Sequence, residues 1–530
     1  MPTEIEFKLT YATMFDPPEA LHTRFDKSLI DIYPRLGREY GMLIDGREVL
    51  AAAKFEVRSP VDTQMVLGVF QKGGEAEADA AVTAAKRAFP GWRRTPWQER
   101  VSILRKAADL IDERLFEIGV VLALEVGKNR MEALGDIAES VDLIRYCCDR
   151  MEAGNGMVVE MGRDPLRGLD SRNVSVMCPY GVWLVISPFN FPAALTGGPA
   201  GAALVTGNTV VIKPASDTPW TARLIAECLH EAGLPGGVAN YVTGPGSTLG
   251  QALIDHPEVA GITFTGSKEV GMAIYRNAAQ RSWVRPTILE LGGKNPAIVS
   301  RHADLEIAAR GIVRSAFGLQ GQKCSACSRV FVEAPVYDAL VERLVALTEQ
   351  LVIGNPTDRS VFLGPVINGS AYANFQRYLE ELAQAGTLLT GGRVLKEGDF
   401  SKGYFCTPTF AADVPFDHRL WKTEMFLPIT LLARVAGLDE AMAVANDVDY
   451  GLTAGFYGND AETSWFFEHI QAGVAYVNRP LGATTGAWPG YQPFGGWKGS
   501  GASGKNAGGL YYLPLYMREQ IRNQVRRTSP

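Results

Sequence analysis

Cys324 stands in Gly318-Leu-Gln-Gly-Gln-Lys-Cys-Ser-Ala-Cys-Ser, a glycine-containing turn between a helical pattern and an apolar strand. A thiol there can act as a nucleophile, because backbone N–H groups in such a turn can approach a developing oxyanion and Lys323 beside it favours the thiolate. The other reading is a small core residue, the usual state of a free cysteine. Glu290 closes an apolar strand at Glu-Leu-Gly-Gly-Lys-Asn-Pro, where a carboxylate serves either as a general base or as an ion-pair partner of Lys294. Asn190, in Ser-Pro-Phe-Asn-Phe-Pro, offers its amide either to a charged oxygen or to its own backbone in a turn.

Two further turns suit a phosphate. Gly244-Pro-Gly246-Ser-Thr-Leu-Gly250 follows an apolar strand and opens a helix, with one residue more than the usual G-x-G-x-x-G spacing. Alone it reads equally as a plain strand-to-helix turn. Phe264-Thr265-Gly266-Ser267 repeats the arrangement one unit later, and two such turns on consecutive units point to a nucleotide.

Composition removes several classes of function. Lys and Arg number 52 against 58 Asp and Glu, a net charge of −6 with no basic run, so nucleic acid is not an expected partner. The start of the chain carries acids and prolines where a signal peptide needs a basic and then an apolar stretch, and no apolar run is long enough to span a bilayer, so a cytoplasmic protein with no membrane partner is expected. Seven scattered cysteines argue against a disulfide framework. Cys324 and Cys327 spell C-x-x-C, but no second pair or nearby histidine pair completes a zinc site, and no metal is expected. A cysteine hydrolase would need a nearby histidine, yet none lies between His302 and His418.

These residues need a scaffold. Residues 98–152 carry apolar positions at three- and four-residue spacing, which predicts amphipathic helices. Strands at Val182–Ile186, Thr209–Lys213, Ala239–Val242 and Ile262–Phe264 alternate with helical patterns near 195–206, 218–232, 247–255 and 267–280. Strand, helix, strand at this interval predicts right-handed βαβ units and a parallel sheet. A second series follows Gly293, with strands at Ala297–Ser300 and Arg329–Val332 and helices near 303–318 and 335–352, so two α/β domains meet near 290–295. The first 40 residues and Gly482–Gly508 look like linkers, although Trp488, Tyr491, Phe494 and Trp497 in the latter suit a substrate-contacting loop or a packed surface loop better.

Taken together and in order, SPFNFP (187–192), NTVVIKPAS (208–216), FTGSKEVG (264–271), ELGGKNP (290–296), GQKCSACSR (321–329), EMFLPI (424–429) and PFGGWKGSG (493–501) resemble the aldehyde dehydrogenase superfamily from about residue 40 to 525. EVGKN (125–129), FGLQGQKCSACSR (317–329) and NRP (478–480) followed by TGAWPGYQPFGG (485–496) are most similar to its 1-pyrroline-5-carboxylate dehydrogenase branch.

The resemblance implies an α/β fold with a Rossmann-type cofactor domain (41–160 and 181–292), an α/β catalytic domain (293–480), a small β oligomerisation arm (161–180 and 505–525), a substrate loop returning to the cofactor domain (481–504) and an N-terminal extension (1–40). It implies that Cys324 is the nucleophile, Glu290 the general base and Asn190 the oxyanion donor. NAD or NADP would lie along Ser187, Phe189, Lys213, Ser216, Gly246, Gly250, Gly266, Ser267, Val270, Leu291, Glu424 and Phe426, with Lys213 and Glu424 on the riboses. Phe191 and Phe494 would flank the aliphatic chain of a small aldehyde, and Ser325, Gly486 and Ala487 would hold an α-carboxylate. The implied reaction is oxidation of L-glutamate γ-semialdehyde to L-glutamate through a cysteine thiohemiacetal and thioester, in a homodimer or higher homo-oligomer.

Two departures bear on this expectation. Three extra residues within Leu481–Thr484 displace or enlarge the carboxylate loop, which leaves another semialdehyde or an aromatic aldehyde as an alternative substrate. Ser216 stands where many NAD-preferring relatives have a glutamate that repels a 2′-phosphate, so the choice between NAD and NADP stays open. A non-catalytic, cofactor-binding or structural member of the family is the alternative of another class.

Overall fold

The computed structural model describes residues 8–11, 13–14 and 17–527. Much of the acidic, proline-containing start that argued against an export signal lies outside the described residues.

Two seven-stranded sheets carry the molecule. The first runs in the order Thr287–Glu290, Val259–Thr265, Val182–Ile186, Thr209–Lys213, Ala239–Tyr241, Met42–Ile44 and Arg47–Val49. Its first five strands are parallel, and the hairpin at 42–49 closes one edge in antiparallel sense. These central strands are near-continuous runs of buried Val, Ile and Leu, as a sheet covered on both faces requires. One of those covers comes from Trp97–Glu113, Leu115–Val126 and Arg130–Ala153. The middle helix is predominantly apolar and buried along its length except at Leu115 and Glu117 in its first turn.

The second sheet has the order Thr387–Thr390, Thr409–Ala412, Ile429–Val435, Cys327–Glu333, Asn295–Val299, Thr453–Tyr457 and Val474–Val477, parallel except for its first strand. The chain passes from sheet to sheet between Glu290 and Asn295. A separate antiparallel sheet joins Val158–Glu160, Leu169–Pro179 and Met517–Arg527, the last two paired over eleven residues.

Several sequence expectations change. The described part of the first 40 residues is not a linker: Glu19–Ile32 is a helix against Leu115–Val126, with Phe25 and Ile32 sealed in the core. Gly482–Gly508 is not one either, since Trp488 is buried and donates its indole N–H to Asp142 at 2.8 Å, while Phe494 pairs with Ala507. The helix near 247–255 begins as a π turn at Gly246–Gly250 before its α-helical part, Gln251–Asp255. In the tail, Leu513–Tyr516 is a 3-10 turn whose Leu513 and Tyr516 are buried in the core formed with the first sheet and its helices, and the strand begins only at Met517.

Candidate active site

Cys324 follows a turn that is costly to build. Leu319, Gln320 and Gly321 all adopt positive φ, at 49°, 55° and 67°. For the first two this is strained backbone, which persists only where its surroundings over-determine it. The surroundings do so here: Glu132 accepts from Leu319 N–H at 2.9 Å, and the Gln322 side chain accepts from Ile367 N–H at 3.0 Å. At Gly321 a Cβ would lie 2.3 Å from the Leu427 carbonyl, so only glycine fits.

Two further side chains, assigned no role from sequence, hold the turn from the other side. Asn295 donates its amide to the carbonyls of Cys324 at 2.7 Å and Ala326 at 2.9 Å. Thr484 donates its hydroxyl to the Ser325 carbonyl at 2.6 Å and pairs with Ser315 at 2.7 Å. Within the Leu481–Thr484 stretch, Ala483 and Thr484 are buried, Ala483 N–H donates to the Gly311 carbonyl, and Leu481 lines a cavity wall.

Two cavities meet at this turn, and among the described residues Cys324 is the one common to their walls. The larger, about 940 Å³, runs over the C-terminal strand ends of the first sheet, where ligands of doubly wound sheets bind. Ser187, Phe189, Asn190, Lys213, Gly246, Gly250, Gly266, Ser267, Val270, Leu291, Glu424 and Phe426 all line it. Ser216 does not: the cleft is bordered by Ala215, and the Ser216 hydroxyl turns to the Gly244 carbonyl at 3.4 Å.

Lys213 is buried, which lowers its ammonium pKa to about 8, and among the described residues its ammonium donates to the Pro214 carbonyl at 2.9 Å. Burial raises the Glu424 carboxyl to about 7, and it accepts from Gly293 N–H at 2.8 Å. An ammonium with donors to spare and a carboxylate with free lone pairs suit the hydroxyls of two riboses. Gly292 and Gly293 allow the fit, because a Cβ on Gly292 would sit 2.1 Å from Glu424 Oε2 and one on Gly293 2.4 Å from the Cys324 carbonyl. Ser267 caps the helix Lys268–Ala279 by accepting from Val270 N–H, and this places a helix N-terminus at the cleft.

The smaller cavity, about 300 Å³, is lined by Phe191, Ser325, Gly486, Ala487 and Phe494. Sequence reasoning missed other members of its wall, among them Tyr11, Glu132 and Glu139. The signal was present for Glu132 and Glu139, which recur at helical spacing in the predicted helix; Tyr11 left no local trace.

Electrostatics alter three readings. Lys323 does not face the thiol as a counter-charge, because its ammonium is paired with Glu132 at 2.6 Å. Burial, with the Glu424 and Glu290 carboxylates adding to it, pushes the Cys324 thiol well above its ordinary pKa. Glu290 is no ion-pair partner of Lys294: its Oε2 is buried without a hydrogen-bond partner, and burial alone raises its carboxyl well above the usual range. Asn190 does not bond its own backbone but donates to the Gln322 carbonyl at 2.9 Å, two residues before the nucleophile.

Among the described residues no cluster of His, Cys, Asp and Glu could hold a metal ion, and no helix is long and apolar enough to cross a membrane.

The sequence pattern of the aldehyde dehydrogenase family matches residues 49–521. A 1-pyrroline-5-carboxylate dehydrogenase from a Geobacillus species is 41% identical over 513 residues, 96% of this chain and 97% of that one. The solved structure of 1-pyrroline-5-carboxylate dehydrogenase from Thermus with bound NAD superposes with a TM-score of 0.91 at 36% identity, covering 99% of this chain and 100% of that one. A structure of 3,6-anhydro-L-galactose dehydrogenase in complex with NAP gives a TM-score of 0.85 at 31% identity over 92% of this chain and 99% of that one.

Proposed function

The chain belongs to the aldehyde dehydrogenase family, and on that premise we propose that it oxidises L-glutamate γ-semialdehyde, the open form of 1-pyrroline-5-carboxylate, to L-glutamate with NAD or NADP. The observation that carries this reading is the position of Cys324, alone among the described residues, in the walls of both a dinucleotide-sized cleft and a small aldehyde-sized pocket.

In the proposed mechanism, Cys324 Sγ attacks the aldehyde carbon. Its proton must first leave a thiol that burial holds protonated, and Glu290, a buried carboxyl of raised proton affinity, is matched to receive it. Asn190 swings its amide from the Gln322 carbonyl to the new oxyanion, assisted by the Cys324 backbone N–H, and such a donor contributes about 2.7–4 kcal/mol to the transition state. When bound, the dinucleotide supplies the acceptor for the hydride that converts the thiohemiacetal on Sγ into a thioester. Glu290, once it has passed that proton on to solvent, takes one from water as the water attacks the thioester, and returns it to the departing Cys324 thiolate as the acid is released.

Within the smaller pocket, Phe191 and Phe494 flank the aliphatic chain. Ser325 with the backbone of Gly486 and Ala487 receives the α-carboxylate, and Glu139 receives the α-ammonium, since among the described residues no Lys or Arg pairs with it. A turnover survey tests the substrate: L-glutamate γ-semialdehyde should be favoured over succinate semialdehyde and benzaldehyde, and preference for an aldehyde without the amino acid group would overturn it.

We further infer that the two seven-stranded sheets correspond to the cofactor and catalytic domains, and that the protein is a cytoplasmic homodimer or higher homo-oligomer. Supporting the assembly, the three-stranded sheet carries apolar Val159 and Ile521, which are 57% and 56% exposed, on its two edge strands. Light scattering of the purified protein should give at least twice the monomer mass.

A further inference from the structure

Glu132, Asp136 and Glu139 recur at four- and three-residue spacing on the helix Arg130–Ala153, and so stand on one side of it. Two of the three have lysine partners: Glu132 pairs with Lys323 at 2.6 Å and Asp136 with Lys128 at 3.0 Å. Glu139 lines the aldehyde pocket and accepts instead from the Tyr11 hydroxyl at 2.7 Å. Tyr11 reaches it from the N-terminal segment, 128 residues away in sequence.

The Tyr11 ring is wedged between the two substrate-binding features. It meets Phe191 edge to face, with centroids 6.4 Å apart, and Trp488, the neighbour of Ala487, at 5.4 Å. Gly135 leaves it room, since a Cβ there would stand 3.2 Å from the ring.

From this geometry we propose that Tyr11 is a positioning residue for substrate selection: its hydroxyl aims the Glu139 carboxylate at the α-ammonium group of an amino-acid aldehyde, and its ring closes the pocket between Phe191 and Trp488. The proposal rests on the substrate reading above. The groups facing Glu139 are Tyr11, Lys128 ahead of the helix, Asp136 on it, Lys323 and Cys324 from the nucleophile turn, and Tyr476 from the second sheet. Burial raises Glu139 to about 8, and the Tyr11 hydrogen bond is the largest influence opposing that rise. Tyr11 itself is held protonated by burial and by Glu139, so it remains a donor at every physiological pH. Removing its hydroxyl should leave Glu139 protonated, and unable to pair with an ammonium, to a higher pH.

The test uses full-length wild type, Tyr11→Phe and Glu139→Gln, each assayed with L-glutamate γ-semialdehyde and with 5-oxopentanoate, which is the same chain without the amino group. Measurements run from about pH 6 to about 9 at saturating dinucleotide, each variant compared with wild type on the same substrate so that the substrate's own ionisations cancel. In Tyr11→Phe the ratio of kcat/KM between the two aldehydes should fall about tenfold, chiefly through KM, and the rising pH limb seen only with the amino substrate should move upward. Glu139→Gln should abolish both the preference and that limb. If Glu139→Gln does so while Tyr11→Phe keeps the wild-type ratio and limb, the proposal is overturned and the substrate reading stands. A wild type that shows no preference for the amino aldehyde overturns the substrate reading and the proposal with it. Calorimetric binding of L-glutamate against glutarate gives the same comparison without turnover.

Discussion

The cleft proposed for the dinucleotide draws most of its wall from strand ends and helix starts between Ile186 and Gly292, with a second contribution at Lys422–Phe426. The aldehyde pocket takes Tyr11 from the N-terminal segment, Glu132 and Glu139 from one helix, Phe191 from a strand end, Ser325 from the nucleophile turn and Ala487 from a late loop. One cavity is lined largely by residues at the carboxyl ends of parallel strands and the turns that follow them, the other by residues from distant segments that only the completed fold brings together. The lesson is that cofactor binding follows from topology, while substrate choice depends on contacts distant in sequence.

Cys324 joins the two cavities, and its replacement should separate them most sharply. Cys324→Ala is expected to lower kcat by at least about 10⁴-fold, while fluorescence titration still detects dinucleotide binding; reduction of NAD at the wild-type rate would refute the nucleophile. Glu290→Gln should slow turnover by roughly 10²–10⁴-fold. If its principal task is to activate water, stopped-flow absorbance will still show a burst of reduced dinucleotide, and loss of the burst would move its main role to the thiol proton.

Substitutions on one side only should sharpen the contrast. Gly292→Ala forces the Glu424 carboxylate away, since the added Cβ would lie 2.1 Å from its Oε2. Overpacking of this kind costs about 1–3 kcal/mol and should appear in the KM for the dinucleotide rather than for the aldehyde. Thr484→Val removes the hydroxyl that holds the Ser325 carbonyl. About 1 kcal/mol of hydrogen bonding is lost, and the aldehyde KM should rise severalfold with the dinucleotide KM little changed. Equal effects on both constants in either variant would erase the distinction.

The smallest effect concerns stability. Burial raises Glu424 to about 7 and Glu139 to about 8, one carboxyl in each cavity. The folded protein therefore keeps these protons at pH values where the unfolded chain has released them. That stabilisation is complete below the ordinary carboxyl pKa and is lost as pH rises through about 7 to 8, so Tm should fall by a few degrees across that interval. Saturating L-glutamate should remove the part due to Glu139, because a bound ammonium stabilises the ionised form; unchanged pH dependence would place the ammonium elsewhere.

Much of the scaffold was legible because its causes are local. Runs such as Val182–Ile186 and Thr209–Lys213, each followed by a helical period, specify a parallel sheet, and the structure pairs them residue by residue. The N-terminal helix escaped because the polar and charged positions of Glu19–Ile32 obscure the four that are buried, and only contact with Leu115–Val126 gives those a partner. Gly482–Gly508 looked like a linker because its glycines report backbone freedom, whereas its order comes from Asp142 and Ala507.

The sequence by itself determined the family, the alternation of strands and helices, and the glycines at 292, 293 and 321 that close packing demands. It could not decide ionisation or reach. Lys323 adjoins Cys324 in the chain yet spends its charge on Glu132, and Tyr11 lies 128 residues from the carboxylate it bonds. Neighbourhood in sequence fixes backbone geometry, but burial and charge pairing belong to neighbourhood in space, and only the tertiary structure decides that.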